Sequence, residues 1–313
     1  MSAIRAEVAH PAPRRARLRQ LRSRHLVLVA NGSASGLGRS REALEAARKA
    51  LALEGAGVEA HLTESVTELA DAWPAFQDRR VVLLGGDGTL HTAANNLPLG
   101  DFELALLPAG RANNVARALG IPLDLRAASE LASSGKARPI DLISATNGRQ
   151  SSFAVEGVSV GLHALARASY RAPNSADVGA AIRSAVSAGR SFHGLRLCIS
   201  SDGEAEMLTV GQVFVANLSL YAFGLRVAPA ARPDDGLLDV VVLPWEGRAR
   251  ILPTIARLRR GAHIGRGGTR TWTAGHVRIA TGGRSPVIAD TTNLGDGPVT
   301  LDAAPGALAL VRP

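Results

Sequence analysis

The densest grouping of chemistry-bearing residues is Gly85-Gly86-Asp87-Gly88-Thr89, directly after the apolar run Val81–Leu84. Glycines at a strand end let backbone N–H groups approach phosphate oxygens with no Cβ in the way. An aspartate among them can hold Mg2+ or orient a nucleophilic hydroxyl. Thr89 adds a hydroxyl donor, and a helix starting here adds the positive end of its dipole. The plainer alternative is a tight turn with Asp87 capping a helix, since Asp-Gly is a common turn pair. Pro108-Ala109-Gly110-Arg111-Ala112-Asn113-Asn114 repeats the logic after Leu104–Leu107. Gly110 frees the backbone, and Asn113 is suited to cap the helix that follows. Asn31-Gly32-Ser33-Ala34-Ser35-Gly36 is a third loop of this type. Three such loops at neighbouring strand ends converge on one rim, which turns alone explain poorly. No Walker loop is present, because Gly135-Lys136-Ala137 lacks the second glycine and the Ser/Thr, and the GxGxxG fingerprint is not met.

These loops need strands and helices to hold them. His25–Asn31 is a short apolar run, and Arg39–Gly55 spaces Ala43, Leu44, Ala47 and Leu51 for an amphipathic helix. Val58–Thr63 reads as a second strand and Val66–Phe76 as a helix ended near Pro74. Strands at Val81–Leu84 and Leu104–Leu107 precede helices at Leu90–Leu97 and Val115–Leu119. This alternation predicts a doubly wound α/β domain with a parallel sheet, which binds ligands at strand C-terminal ends. After Asp141 the texture changes. Strand-like runs at 152–160, 195–199, 207–216, 237–243, 277–279, 286–289 and 307–311 lie among turns, with one helical interruption at Ala249–Gly261. A mainly antiparallel β domain is expected. The expected organisation is an Arg-rich extension over 1–24, a nucleotide-binding domain over 25–140 to which 299–313 returns, and a β-rich domain over 141–298.

The 313 residues carry 36 Lys+Arg against 27 Asp+Glu, for a net charge of +9. Residues 1–24 hold seven arginines against Glu7, and 248–270 hold seven with no acid, so the rest of the chain is mildly acidic. Such patches attract phosphates of lipid, nucleotide or nucleic acid. A solvated tail and a solvated helix face are the plainer alternatives. Aromatics at 4% argue against stacking on single-stranded nucleic acid, so no nucleic-acid partner is expected. A lone cysteine, Cys198, excludes an internal disulfide and Cys-rich metal sites. The chain start lacks the apolar core of a secretory signal, and no apolar run reaches spanning length, so a cytoplasmic protein is expected.

Taken together, these loops resemble the diacylglycerol kinase catalytic-domain family, which includes bacterial lipid kinases, sphingosine kinases and ceramide kinases. The family pattern runs NPxSG, GGDGT, PxGTxND and, later, a proline-alanine segment with DGxLD. The chain answers with Asn31–Gly36, Gly85–Thr89, Pro108–Asn114 and Ala228–Asp239, and Pro305–Leu308 resembles the closing strand. The resemblance, over about residues 25–313, implies an ATP-binding α/β domain and a lipid-binding β-sandwich with the cleft between them. Nucleotide contacts carry over to Asn31, Thr63, Gly85, Gly86, Asp87, Gly88, Thr89, Gly110, Arg111 and Asn113. A structural Mg2+ in the DGxLD turn maps onto the Asp235 carboxylate and the carbonyls of Arg232 and Leu237, an oxygen-only set that suits this ion.

Three departures stand out. Gly32 replaces the usual proline, and Arg111 replaces a threonine that helps bind ATP; an arginine there binds phosphate bidentately or clashes. The family's DGE motif, which holds its proposed general base, falls on Asp290-Thr291-Thr292. The aspartate survives and the glutamate does not. Asp87 and Asp290 are therefore the expected catalytic carboxylates, with Asp290 orienting the acceptor hydroxyl. His163 stands where many relatives carry aspartate, as a headgroup contact or an ordinary histidine, and Glu156 is similarly open. Trp73, Trp245 and Trp272 read as packing or interfacial residues. The expected activity is Mg2+-dependent, ATP-dependent phosphorylation of a diacylglycerol-like or sphingoid lipid. It would take place at an anionic membrane surface that the protein contacts peripherally. A non-catalytic nucleotide or lipid binder and an NAD kinase are the alternatives, and a homodimer is left open.

Overall fold

The computed structural model describes residues 25–31, 40–63, 68, 79–97, 102–169, 178–282 and 285–313. The Arg-rich stretch 1–24, the loop 32–39, Trp73 and, apart from Glu68, the helix expected over Val66–Phe76 lie outside the described residues, as does the Asn31 side chain.

Strands β1 (His25–Asn31), β2 (Gly57–Thr63), β3 (Arg80–Gly85) and β4 (Glu103–Pro108) pair in parallel in the order β2-β1-β3-β4. The three inner strands read as unbroken apolar runs because both their faces are covered. Val27, Val29, Val81, Leu83, Leu104 and Leu106 meet Leu90, Ala93 and Leu97 around α2 (Asp87–Asn96) and Val115 and Ala116 of α3 (Asn114–Ala118). Their neighbours Leu26, Leu28, Val82, Leu84 and Leu107 meet the opposite layer, Leu44, Ala47 and Leu51 of α1 (Ser40–Leu53) and Ala128 and Ala132 of α4 (Leu125–Ser134). The period of two along each strand sends alternate side chains to the two helix layers. Leu83 is wholly buried, and truncating it to alanine costs about 2–5 kcal/mol.

The remaining strands are β5 (Ala137–Thr146), β6 (Ser151–Ala154), β7 (Gly157–Gly161), β8 (Leu195–Ser201), β9 (Glu204–Val210), β10 (Gln212–Ala216), β11 (Leu238–Leu243), β12 (Arg270–Ala274), β13 (His276–Thr281), β14 (Pro286–Ala289), β15 (Thr292–Asp296) and β16 (Val299–Val311). Six form an antiparallel sheet in the order β12-β11-β10-β7-β14-β15. Its Val158, Val160, Val213, Val215 and Val240 share a core with Ile143, Leu197, Ile199, Val277 and Leu301 of the other sheet, which closes a sandwich.

One strand joins the halves. The start of β16 pairs antiparallel with β13, its end pairs parallel with β4, and β5 runs antiparallel along both. The register shifts between Ala304 and Leu308, at Pro305-Gly306. Gly306 has φ +60, which suits glycine. Its N–H donates to Asp141 Oδ1 (2.6 Å), and Gly236 N–H donates to Asp141 Oδ2 (2.7 Å). Asp141 is 2% exposed, so this buried carboxylate pins the bulge to the turn before β11.

The β half holds more helix than its sequence suggests. Besides α7 (Ile251–Arg260), the structure has α5 (Leu162–Ser169) and α6 (Val178–Ser191). Both fall within the stretch expected to be strand and turn, where no helix is expected from the sequence. α7 ends on Gly261 in the left-handed conformation, with Ala262 N–H reaching Arg257 O (2.9 Å). No helix among the described residues is long and apolar enough to cross a membrane.

Candidate active site

The β3 and β4 ends carry the two described glycine loops, and these are packed backbone to backbone. A Cβ on Gly86 would lie 2.8 Å from Gly110 Cα, and one on Gly110 would lie 2.7 Å from Gly86 Cα. Both must be glycine for the loops to touch. A Cβ on Gly88 would meet nothing within 4 Å, so there the missing side chain leaves open space at the start of α2. Gly86 is the N-cap of α2 and offers no side-chain cap, which leaves that positive helix end uncapped by a side chain. Gly85 accommodates Thr89, whose Oγ1 would lie 2.3 Å from a Cβ added there.

Asp87 is a helix cap, but of a different helix from the one it begins. Its oxygens accept from Asn114 N–H (3.0 Å) and Val115 N–H (2.9 Å) at the start of α3, tying one glycine loop to the other. Asn113 occupies the N-cap position of α3 at φ 48, yet it does not cap. Its amide grips Gly110 instead, Oδ1 accepting from Gly110 N–H (2.9 Å) and Nδ2 donating to Gly110 O (2.8 Å). The capping expected of Asn113 is thus supplied by Asp87, and Asn113 acts by shaping the loop. Thr63 spends its buried hydroxyl on the Ala30 carbonyl (3.2 Å), a β2–β1 tie. Arg111 is exposed at the cleft wall.

From these loops a cleft of about 1080 Å3 runs over the sandwich half. At the loop end it is lined by Gly86, Asp87, Gly88, Thr89, Gly110 and Arg111, and farther on by Leu162, Phe214, Leu243, Ile251, Ile255 and Leu258. Arg167, Arg226, Arg250 and Arg259 also line it. Trp245 is on its wall, edge-on to Phe192 (4.9 Å between ring centroids). Trp272 lies elsewhere, its indole N–H donating to Ser201 Oγ (2.9 Å) with Arg270 over the ring. Both tryptophans pack, as their sequence context suggests.

Three carboxyls meet where the two ends join. Asp290 sits at φ 48 in the turn between β14 and β15, with its side chain 3% exposed. Its Oδ1 accepts from Glu156 N–H (3.0 Å) and Gly157 N–H (2.9 Å), and its Oδ2 from Val155 N–H (2.6 Å). His91 Nδ1 lies 3.1 Å from the same Oδ2, and His91 Nε2 lies 2.8 Å from Thr292 Oγ1. An Nδ1–H tautomer would donate to the carboxylate and accept the Thr292 hydroxyl. A carboxylate offers about four acceptor positions, and four donors fill those of Asp290. Asp290 thereby clamps the backbone of residues 155–157, and it lines the cleft beside Thr291.

Glu156, open in the sequence, emerges as the third carboxyl. It is 7% exposed, lines the cleft, and receives Asn114 Nδ2 (2.8 Å) and the Ala222 N–H. Burial, then the charges of Asp87 and Asp290, push its carboxyl well above the ordinary glutamate range. Asp87 is also pushed up, chiefly by burial, against the opposing pull of the Val115 and Asn114 N–H groups. Among the described residues four non-glycines have positive φ, and Asn113, Ala222 and Asp290 are three of them. Such backbone gathers at functional sites, and Ala222 has no side-chain chemistry to favour it. His163 is pushed down to about 4 by burial and by Arg167, so it is neutral at ordinary pH; its Nδ1 lies 2.9 Å from Ser159 Oγ.

Arg232, Asp235 and Leu237 lie on the exposed turn before β11, far in character from the buried cluster. Asp235 Oδ1 accepts from Leu237 N–H (3.0 Å). Burial, with the negative charge of Asp235, pushes nearby Asp239 up to about 6. Two carboxyls in mutual repulsion, together with carbonyl oxygens, make a donor set that fits a hard divalent cation. No group of three or more His, Cys, Asp or Glu suited to a metal occurs among the described residues.

Asn113 and Asp290 are legible through their motifs, but their partners are not, and Glu156 has no local signature; residue 91 and residue 290 are 199 positions apart. Comparison with known proteins agrees with the architecture. Residues 25–145 match the family model described as the diacylglycerol kinase catalytic domain, and residues 155–312 match the YegS C-terminal NAD kinase beta sandwich-like domain. A Pseudomonas aeruginosa protein named "Probable lipid kinase YegS-like" is 37% identical over 165 residues, which are 51% of this chain and about half (53%) of that protein. The "Diacylglycerol kinase" of Mycobacterium tuberculosis is 28% identical over 74% of this chain and 76% of its own length. The crystal structure of a diacylglycerol kinase from Bacillus anthracis superposes at a TM-score of 0.70 with 20% identity, covering 93% of this chain and 98% of that one. Two domain models matched in order across the glycine loops and the sandwich identify the chain as a member of the diacylglycerol kinase catalytic-domain family of lipid kinases.

Proposed function

We propose that the protein transfers the terminal phosphoryl group of ATP, with Mg2+, to a hydroxyl of a diacylglycerol-like lipid at an anionic membrane surface. The observation that carries this reading is the single cleft that joins glycine loops to an apolar slot. Backbone N–H groups near Gly86, Gly88 and Gly110, with Thr89 and Arg111, would face the phosphates; phosphoryl transfer asks mainly for positioning and charge neutralisation. Mg2+ would supply charge neutralisation on the phosphates, and a second, structural ion would sit at Asp235 with the Arg232 and Leu237 carbonyls. The two functional halves would be 25–140 with 299–313, and 141–298.

His163 favours a glycerolipid over a sphingoid acceptor. A neutral imidazole in the slot offers no counter-charge for an amine, where a carboxylate would. α7 forms one wall of the slot and carries Arg257, Arg259 and Arg260, and Leu252 is exposed beside them. That combination suits peripheral contact with anionic lipid.

The test is the full chain with radiolabelled ATP, Mg2+ and anionic vesicles holding diacylglycerol, sphingosine or ceramide. Labelled phospholipid from the diacylglycerol vesicles, lost on chelation, is the expected result. ATP binding with no labelled lipid from any vesicle would make the protein a binder, and labelled NADP from added NAD would make it an NAD kinase.

A further inference from the structure

We propose that Glu156 is the general base of the transfer, standing in from β6–β7 for the glutamate that Thr292 replaces; this rests on the lipid-kinase reading above. The three carboxyls at the junction are not equivalent. Asp290 is saturated by three N–H groups and His91. Asp87 holds the start of α3 through both oxygens. Glu156 is held by the Asn114 amide and the Ala222 N–H alone, and it lines the cleft as Asp87 and Asp290 do. Beside it the buried Asn114 Oδ1 has no hydrogen-bond partner in the protein, an orphan acceptor at the same point of the cleft.

The surroundings give Glu156 both its place and its strength. Asp290 clamps the backbone N–H of residues 155, 156 and 157, so it is a positioning residue for the base. The ionisable groups facing Glu156 are Asp87 at the start of α2, Asp290 from the β14–β15 turn and Tyr221 from the segment after β10. Burial first, then the charges of Asp87 and Asp290, raise its proton affinity above that of an ordinary glutamate, which makes it the stronger base. In the step itself the lipid hydroxyl oxygen bonds to the terminal phosphorus. The bond from that phosphorus to the bridging oxygen breaks, ADP departs with the electron pair, and the hydroxyl proton passes to the Glu156 carboxylate.

The experiment compares wild type, Glu156→Gln and Glu156→Asp in the vesicle assay across pH, with ATP affinity measured separately. Glu156→Gln is expected to lower kcat by about 10²- to 10⁴-fold, with ATP affinity within about twofold. Wild-type kcat should rise with pH along a limb that Glu156→Asp moves and Glu156→Gln flattens. Wild-type turnover in the Gln variant, or a matching loss of ATP affinity, overturns the base. Should Glu156→Gln fail to fold, an unmoved limb in Glu156→Asp overturns it instead. No labelled lipid from wild type refutes the kinase reading, and the base with it; label from wild type together with an active Gln variant refutes the base alone.

Discussion

The two ends of the cleft are built by different means. At the loop end the backbone does the work: Gly86 faces Gly110 in direct contact, Asp87 caps α3, and Asn113 grips Gly110. At the slot end side chains do it, with Phe214, Leu243 and Leu258 in the lining and Arg259 of α7 on the wall. In the proposed function, the rigid backbone cradle would face a group that never varies, the phosphate chain. A side-chain slot can change its occupant by a few substitutions. Chemistry should therefore fail abruptly at the first end and shift gradually at the second.

Four substitutions test that contrast. The largest effect is expected from Asp87→Ala, which removes a carboxylate and unties the two loops. Lipid phosphorylation should fall by more than about 10³-fold, a figure that combines loss of charge stabilisation with misplacement. A variant that retains turnover would show that the loop end is not the catalytic end. Next, replacing Arg259 and Arg260 together with glutamine should weaken binding to anionic vesicles by about 2 kcal/mol, at roughly 1 kcal/mol per arginine. The difference should shrink as salt rises; salt-independent binding, read by sedimentation, would remove the membrane role of that wall. Third, Asp290→Asn sets an amide donor against backbone donors. A loss of about 1–3 kcal/mol in stability is expected, read as a lower Tm, and an unchanged Tm would deny the clamp. The smallest effect concerns pH. His163 is lowered to about 4 in the folded chain, so unfolded chains bind more protons between about 4 and the ordinary histidine value near 6.5. Its share of stability is present above that window and lost as pH falls through it. His163→Phe should flatten that part of the Tm-versus-pH curve, and an unaltered curve would place the histidine in water.

Much of the loop end was legible in the sequence, and little of the junction. β1, β3 and β4 announce themselves as apolar runs because strands covered on both faces need no polar alternation. The glycine loops sit directly on their ends. The junction has no such local cause. Asp290, His91 and Glu156 come from three distant segments, and each is an ordinary residue until the fold joins them. Asp290, expected from its motif as a catalytic carboxylate, also clamps three backbone N–H groups, a task that no local pattern announces. Asp141 shows the same limit, a buried carboxylate holding two loops whose residues lie 95 and 165 positions away.

β16 carries a consequence for how the molecule comes into being. The last strand of the chain inserts between β13 and β4 and lies along the whole of β5. Until it arrives, the parallel sheet has an open edge at β4, and β5 and β13 each lack a partner. Such edges pair readily with other chains. During synthesis neither half can finish folding until residues 299–311 have left the ribosome, however early its own strands emerged. The two halves should thus complete their folding together, with long-range pairing setting the pace. A nascent chain stalled before Val299 should present that open edge to chaperones.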